Sequence, residues 1–250
     1  MKQKKSLKFK ICATVSIILL ILLSVFFIYV GTYYKSGSLA LDSLKSDSKV
    51  KVEQDGDIVF KPVANAKDIG FIFYPGGKVE ASAYAPMAKE VASNGYTVVI
   101  AKMRFNLAVF SSNKASEVID KNKEINTWAI GGHSLGGVIA ADYADKHDNI
   151  KGLVLLASYA QDKRDFSSRD IKVLSLWGEN DKVADISKIT KAKEVMPKDA
   201  VFTGIAGGNH GGFGDYGYQK GDGEASITNE DQMSYTSKSI VKLLDNISHK

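Results

Sequence analysis

The run Gly131-Gly-His-Ser-Leu-Gly-Gly137 constrains this chain more than any other seven residues. An apolar stretch, Thr127–Ile130, leads into it, and a helix-compatible stretch, Val138–Ala144, leads out. A strand that turns into a helix through G-x-S-x-G needs a very tight bend, with the central serine strained and its hydroxyl exposed. Gly132 and Gly136 lack the β-carbons that would collide where strand and helix meet. The amide of Leu135, in the first helical turn, points toward where charge develops on a carbonyl attacked by Ser134. The pattern therefore asks the rest of the chain for a base, an acid and a second amide donor.

The N-terminus asks for something else. Lys2, Lys4, Lys5, Lys8 and Lys10 precede an uncharged run from Ile11 to Val30. About twenty helical residues span about 30 Å, the thickness of a bilayer's hydrocarbon core. The reading is a basic cytoplasmic tail over 1–10, a transmembrane signal anchor over 11–30 and a linker over 31–48. A catalytic domain over 49–250 then lies outside the cytoplasm. A cleaved signal peptide is the competing reading, with Ser36-Gly-Ser38 as its small residues, although its apolar region would be shorter. Six of the 33 basic residues lie in the first 35 positions with no acid among them, so the rest carries 27 bases against 28 acids. The net charge of +5 thus belongs to the tail and gives no reason to expect nucleic acid. The single cysteine, Cys12, excludes an internal disulfide and a cysteine metal cluster.

Past the linker, apolar runs alternate with helical patterns. Lys49–Glu53 and Ile58–Lys61 flank a Gly-containing turn and read as a hairpin. Ile69–Tyr74, Tyr96–Ala101, the run into the elbow, Ile150–Ala157, Ile171–Trp177 and Ala200–Ile205 read as buried strands. Helices are expected near 83–94, 114–122, from the elbow to 146, at 186–195 and at 229–246. This is an α/β pattern: a mostly parallel eight-stranded sheet flanked by helices, preceded by one transmembrane helix. Sites in such sheets form at the carboxyl ends of the strands.

Four histidines compete for the base. His133 is pinned inside the elbow, His147 ends the elbow helix, and His249 is one residue from the C-terminus. His210 follows the last strand and is the candidate. In Gly178-Glu-Asn-Asp181, Asp181 lies one short turn past its strand and is the candidate acid, with Glu179 and Asp162 as rivals. Pro75-Gly-Gly-Lys78 follows the third strand, and an amide at Gly77 or Lys78 is the second donor expected for an oxyanion. Phe213, Tyr216 and Tyr218 follow the histidine and either line a substrate mouth or pack their loop onto the domain. Arg104 binds an anionic substrate group or forms a surface salt bridge.

The order Ser134, Asp181, His210 is that of an α/β-hydrolase. Gly132–Gly137, the Gly178–Asp181 turn and the His210 loop resemble that superfamily. Tyr74–Gly77 and the Gly-rich run from Gly207 to Gly223 are similar to segments in a compact, lidless bacterial branch related to dienelactone hydrolase. The resemblance spans Val50–Asn246. Dienelactone hydrolases proper use cysteine where this chain has Ser134, so it implies the fold and a serine-type hydrolase and names no substrate. The expectation is a membrane-anchored carboxylesterase acting on a small-molecule ester or acyl substrate, with no metal, no cofactor and no protein partner named. A cell-envelope acyltransferase using the same three residues, or a binding module that kept the fold, are the alternatives. The connection from Ser158 to Asp170 is too short for a large lid.

Overall fold

The computed structural model describes residues 7–161 and 163–248. Lys2, Lys4 and Lys5 of the basic tail, the rival acid Asp162, and His249 lie outside them. The chain divides into two units, Met1–Tyr33 and Tyr34–Lys250.

The first unit is the helix α1, Leu7–Gly31. It is apolar on every side, so it has no face with which to join a water-soluble core. Lys8–Gly31, with a mean hydropathy of 3.0, is long and apolar enough to cross a membrane. The helix begins before the uncharged run because Lys8 and Lys10 are good helix formers.

The second unit begins earlier than the sequence suggests. The helix α2, Ser38–Ser43, and the extended residues before it are packed onto the domain, so the expected linker from 31 to 48 is domain from Tyr34 onward. A hairpin follows, β1 (Val50–Glu53) and β2 (Ile58–Pro62). Then come β3 (Ile69–Tyr74), α3 (Ala85–Ser93), β4 (Thr97–Ile100), α4 (Lys114–Lys121), β5 (Thr127–His133) and α5 (Leu135–Asp145). The chain ends with β6 (Ile150–Leu156), β7 (Lys172–Gly178), α6 (Ile186–Lys191), β8 (Val201–Ile205) and α7 (Asn229–Ser248).

The eight strands form one sheet in the order β1-β2-β4-β3-β5-β6-β7-β8. β1–β2 and β2–β4 are antiparallel, and every later pair is parallel. Side chains alternate across the pleat, so β3 serves two cores at once. Phe71 and Phe73 join Met87, Leu174 and Leu244 on the face covered by α3 and α7. Ile72 and Tyr74 join Val118, Trp128 and Ala140 on the face covered by α4 and α5. Burial on both faces is why β3 reads as a continuous apolar run. β3, β5, β7 and β8 are mutually parallel, so the segments after them emerge at one end of the sheet.

Candidate active site

β5 runs through Gly131 and Gly132 to His133, and α5 starts at Leu135, leaving Ser134 alone to make the turn. Ser134 sits at φ 50, ψ −122, a conformation that costs a non-glycine residue about 1–3 kcal/mol. Its amide donates to Leu156 O (2.9 Å), and its carbonyl accepts from Ser158 Oγ (2.8 Å), so the end of β6 and the residues just after it hold the elbow. A β-carbon on Gly136 would run into the carbonyl oxygens of Tyr74 and Pro75. One on Gly132 would meet the backbone of Gly136, so both positions exclude any side chain.

His210 lies one short loop beyond β8. Its Nδ1–H donates to Asp181 Oδ2 at 2.8 Å, and both side chains are sealed from solvent. Asp181 Oδ1 accepts the amides of Val183 and Ala184, each at 2.8 Å. Burial alone would push the Asp181 carboxyl up. The bond and charge of His210 and those two amides outweigh it, holding the carboxyl below the ordinary aspartate value. Nδ1 is occupied, which leaves His210 Nε2 as the nitrogen that can accept a proton. The His210 ring packs on His133, the neighbour of Ser134, with centroids 4.5 Å apart. Among the described residues no hydrogen bond yet joins Ser134 Oγ to His210.

Among the backbone amides near Ser134, Leu135 N–H, at the start of α5, and Gly77 N–H, after β3, have no acceptor among the described residues. Gly77 packs against the Leu135 side chain, since a β-carbon on Gly77 would lie 3.2 Å from Leu135 Cδ2. The Lys78 amide is taken, because it donates to Asn106 O at 2.7 Å from a left-handed backbone (φ 61). Of the two amides expected after β3, only Gly77 can still donate. Among the described residues no group of three or more His, Cys, Asp or Glu side chains is placed to hold a metal.

A sequence model of the alpha/beta hydrolase family matches residues 70–234, from β3 into α7. The chain belongs to the alpha/beta hydrolase family. No curated protein matches the chain. Family membership carries a hydrolase-type activity on a small-molecule substrate and leaves the bond cleaved to the site itself.

The assembled domain also places the other residues that the sequence singled out. Phe213 and Tyr216 lie under the site instead of at its mouth. Phe213 is fully buried against His133, and Tyr216 is 5% exposed and packs on Tyr34 and Tyr84. Only Tyr218 is at the surface, beside a cavity of about 670 Å³ lined also by Glu179, Asp181 and Asp222. Glu179 turns its carboxylate toward Gly204 of β8 and makes no bond to His210. Arg104 is exposed, with no ion pair among the described residues, in the turn whose Asn106 carbonyl holds Lys78. His147 is occupied with Tyr143, stacked at 3.8 Å and bonded through Nδ1 to its carbonyl.

Other residues that build the site carry no motif. Asp222 accepts the amides of Gly211 (2.8 Å), Gly223 (2.8 Å) and His210 itself (3.2 Å). Gln232 of α7, fully buried, clasps both backbone groups of Asn209. Together they fix the loop that presents His210. The sequence signal for Asp222 is an acid framed by two glycines in a Gly-rich run. Tyr84 has no comparable signal.

Proposed function

We propose that the chain is a membrane-anchored serine esterase whose domain works outside the cytoplasm on carboxylic esters with small or medium acyl groups. The observation that carries this reading is a convergence at one end of the sheet. A strained serine, a buried Asp181–His210 pair, and two amides without internal acceptors lie together there.

Ser134 Oγ attacks the carbonyl carbon, and its proton passes to His210 Nε2. Asp181 keeps the Nδ1 proton in place and stabilises the imidazolium. Charge gathering on the carbonyl oxygen is met by the Leu135 and Gly77 amides. The bond to the leaving oxygen then breaks, the alcohol departs with the proton from His210, and the acyl group stays on Ser134. Water, deprotonated by His210, attacks the acyl carbon; the bond from that carbon to Ser134 Oγ breaks, His210 returns the proton to Oγ, and the acid leaves. No step calls for a metal or an organic cofactor. The Ser134–His210 hydrogen bond closes as substrate binds, as such bonds commonly tighten only in the complex.

Residues 157–171 form no helix or strand among those described, which favours an uncovered site and short acyl groups. The lysines before α1 place that end in the cytoplasm and the domain across the bilayer.

The test compares wild type with Ser134→Ala, using a fluorophosphonate probe and a short-chain p-nitrophenyl ester. Wild type is expected to label and turn over, and the variant to lose up to about 10⁶-fold in kcat. If both fold and neither reacts, the esterase reading is wrong and the fold serves binding.

A further inference from the structure

We propose that Tyr84 and His133 act as a positioning pair, coupling the loop that carries the Gly77 amide to the wall that supports His210. The inference rests on the esterase reading above and adds two residues to its machinery.

Tyr84 is fully buried in the 3₁₀ turn Ala81–Tyr84. Its hydroxyl accepts the Gly76 amide at 3.0 Å and lies 2.8 Å from His133 Nδ1. Two proton arrangements are open to the neutral pair. With the hydroxyl donating to Nδ1, the one unpaired donor is His133 Nε2–H. With Nδ1–H donating to the hydroxyl, both the hydroxyl proton and the Nε2 lone pair lose partners. Each buried orphan costs about 1–3 kcal/mol, so the first arrangement wins. Tyr84 therefore fixes His133 as the Nε2–H tautomer. Burial, and then repulsion from His210, hold His133 far below the usual histidine value, so it stays neutral.

Both ends of the pair meet parts of the site. At one end, Gly76 passes so close that a β-carbon there would lie 2.7 Å from His133 Nδ1 and 2.8 Å from the Tyr84 oxygen. The next peptide plane contains the Gly76 carbonyl, which accepts from Val79 N–H at 3.2 Å, and on its opposite side the Gly77 N–H. Tyr84 thus pins the peptide immediately before the one that aims the donor. At the other end, His133 Nε2 is buried with no hydrogen-bond partner, and its ring lies against the His210 ring. A neutral His133 ring supports His210 without placing a second positive charge beside the imidazolium.

The test is Tyr84→Phe in the full-length chain, held in detergent, beside wild type and Ser134→Ala. The substitution removes one oxygen and leaves the ring in its packing. Complete loss of an oxyanion donor costs about 10²–10³ in kcat, so loosening one is expected to cost roughly 10- to 100-fold. The same loss is expected in the fluorophosphonate labelling rate, with KM within about twofold. A lower melting temperature with kcat and labelling unchanged would show Tyr84 to be structural only and overturn the proposal. If the variant does not fold, ¹⁵N spectra of wild type decide, since the chain has only four histidines. A His133 proton on Nε2 supports the pair, and one on Nδ1 overturns it. Wild type as inert as Ser134→Ala would remove the esterase reading and this inference with it. Reactive wild type beside an unchanged Tyr84→Phe removes the inference alone.

Discussion

Asp181 shows how much one side chain can decide. Its Oδ1 accepts two amides and its Oδ2 accepts from His210. In Asp181→Asn the amide oxygen satisfies the same two N–H groups, which turns the NH₂ toward His210. Nδ1 must then become an acceptor, the ring proton moves to Nε2, and His210 can no longer take the proton from Ser134. The expected result is a loss of about 10⁴-fold in kcat with little change in KM, measured on the p-nitrophenyl ester. An Asp181→Asn variant with near-normal kcat would remove Asp181 from the reaction. Ser134, Asp181 and His210 were legible as candidates because each stands in a short segment directly after a readable strand. Lys78 could not be told from Gly77, because its left-handed φ and its bond to Asn106 leave no mark on the sequence. Tyr84 was illegible for another reason. Its partner His133 is 49 positions away, and a tyrosine in a small-residue turn fits many roles.

At the scale of elements, the strands were readable and the segment ahead of them was not. β3 and β4 are buried along their whole length, so each is one apolar run bounded by turn residues. Residues 34–48 are serine-rich with alternating charge and show no period, yet they are built into the domain. Tyr34 N donates to Lys78 O (2.8 Å), and Glu80 N donates to Tyr34 O (2.9 Å). Ser36 N donates to Glu80 Oε2 (2.9 Å), Ala40 N to Asp215 Oδ2 (2.8 Å), and Lys220 N to the Tyr34 hydroxyl (3.2 Å). One strap therefore grips the loop after β3 and the loop after β8, the two that carry Gly77 and His210. Its partners lie 44 to 186 positions away, too far for local pattern to reveal. A chain beginning at Tyr34 is expected to melt cooperatively, and one beginning at Lys49 to melt well below it. At about 1 kcal/mol per net hydrogen bond and 2–4 °C per kcal/mol, the gap should be roughly 10 °C. Equal melting temperatures would make the strap dispensable.

For the whole molecule, two buried groups of the site make stability depend on pH, and they act in different windows. His133 is held neutral in the fold, with a pKa far below the value of about 6.5 it regains on unfolding. Below that value the unfolded chain binds a proton that the folded chain refuses, so stability falls as pH drops. Asp181 has the opposite relation to its charge. Its folded pKa lies below the unfolded value of about 3.9. The stability it adds is complete above that value and is lost only as pH falls through the folded value. Between pH 6.5 and 4 the slope therefore belongs to His133 and not to Asp181, with a limit of about 1.4 kcal/mol per pH unit for one proton. Denaturant melts of wild type and His133→Gln at pH 7.5, 6.5, 5.5 and 4.5 isolate it, since the variant keeps every other titrating group. Wild type is expected to lose stability more steeply than the variant below pH 6.5 and in parallel with it above. Parallel curves throughout would mean that His133 takes up its proton inside the fold. The imidazole that packs against His210 would then carry a positive charge beside it.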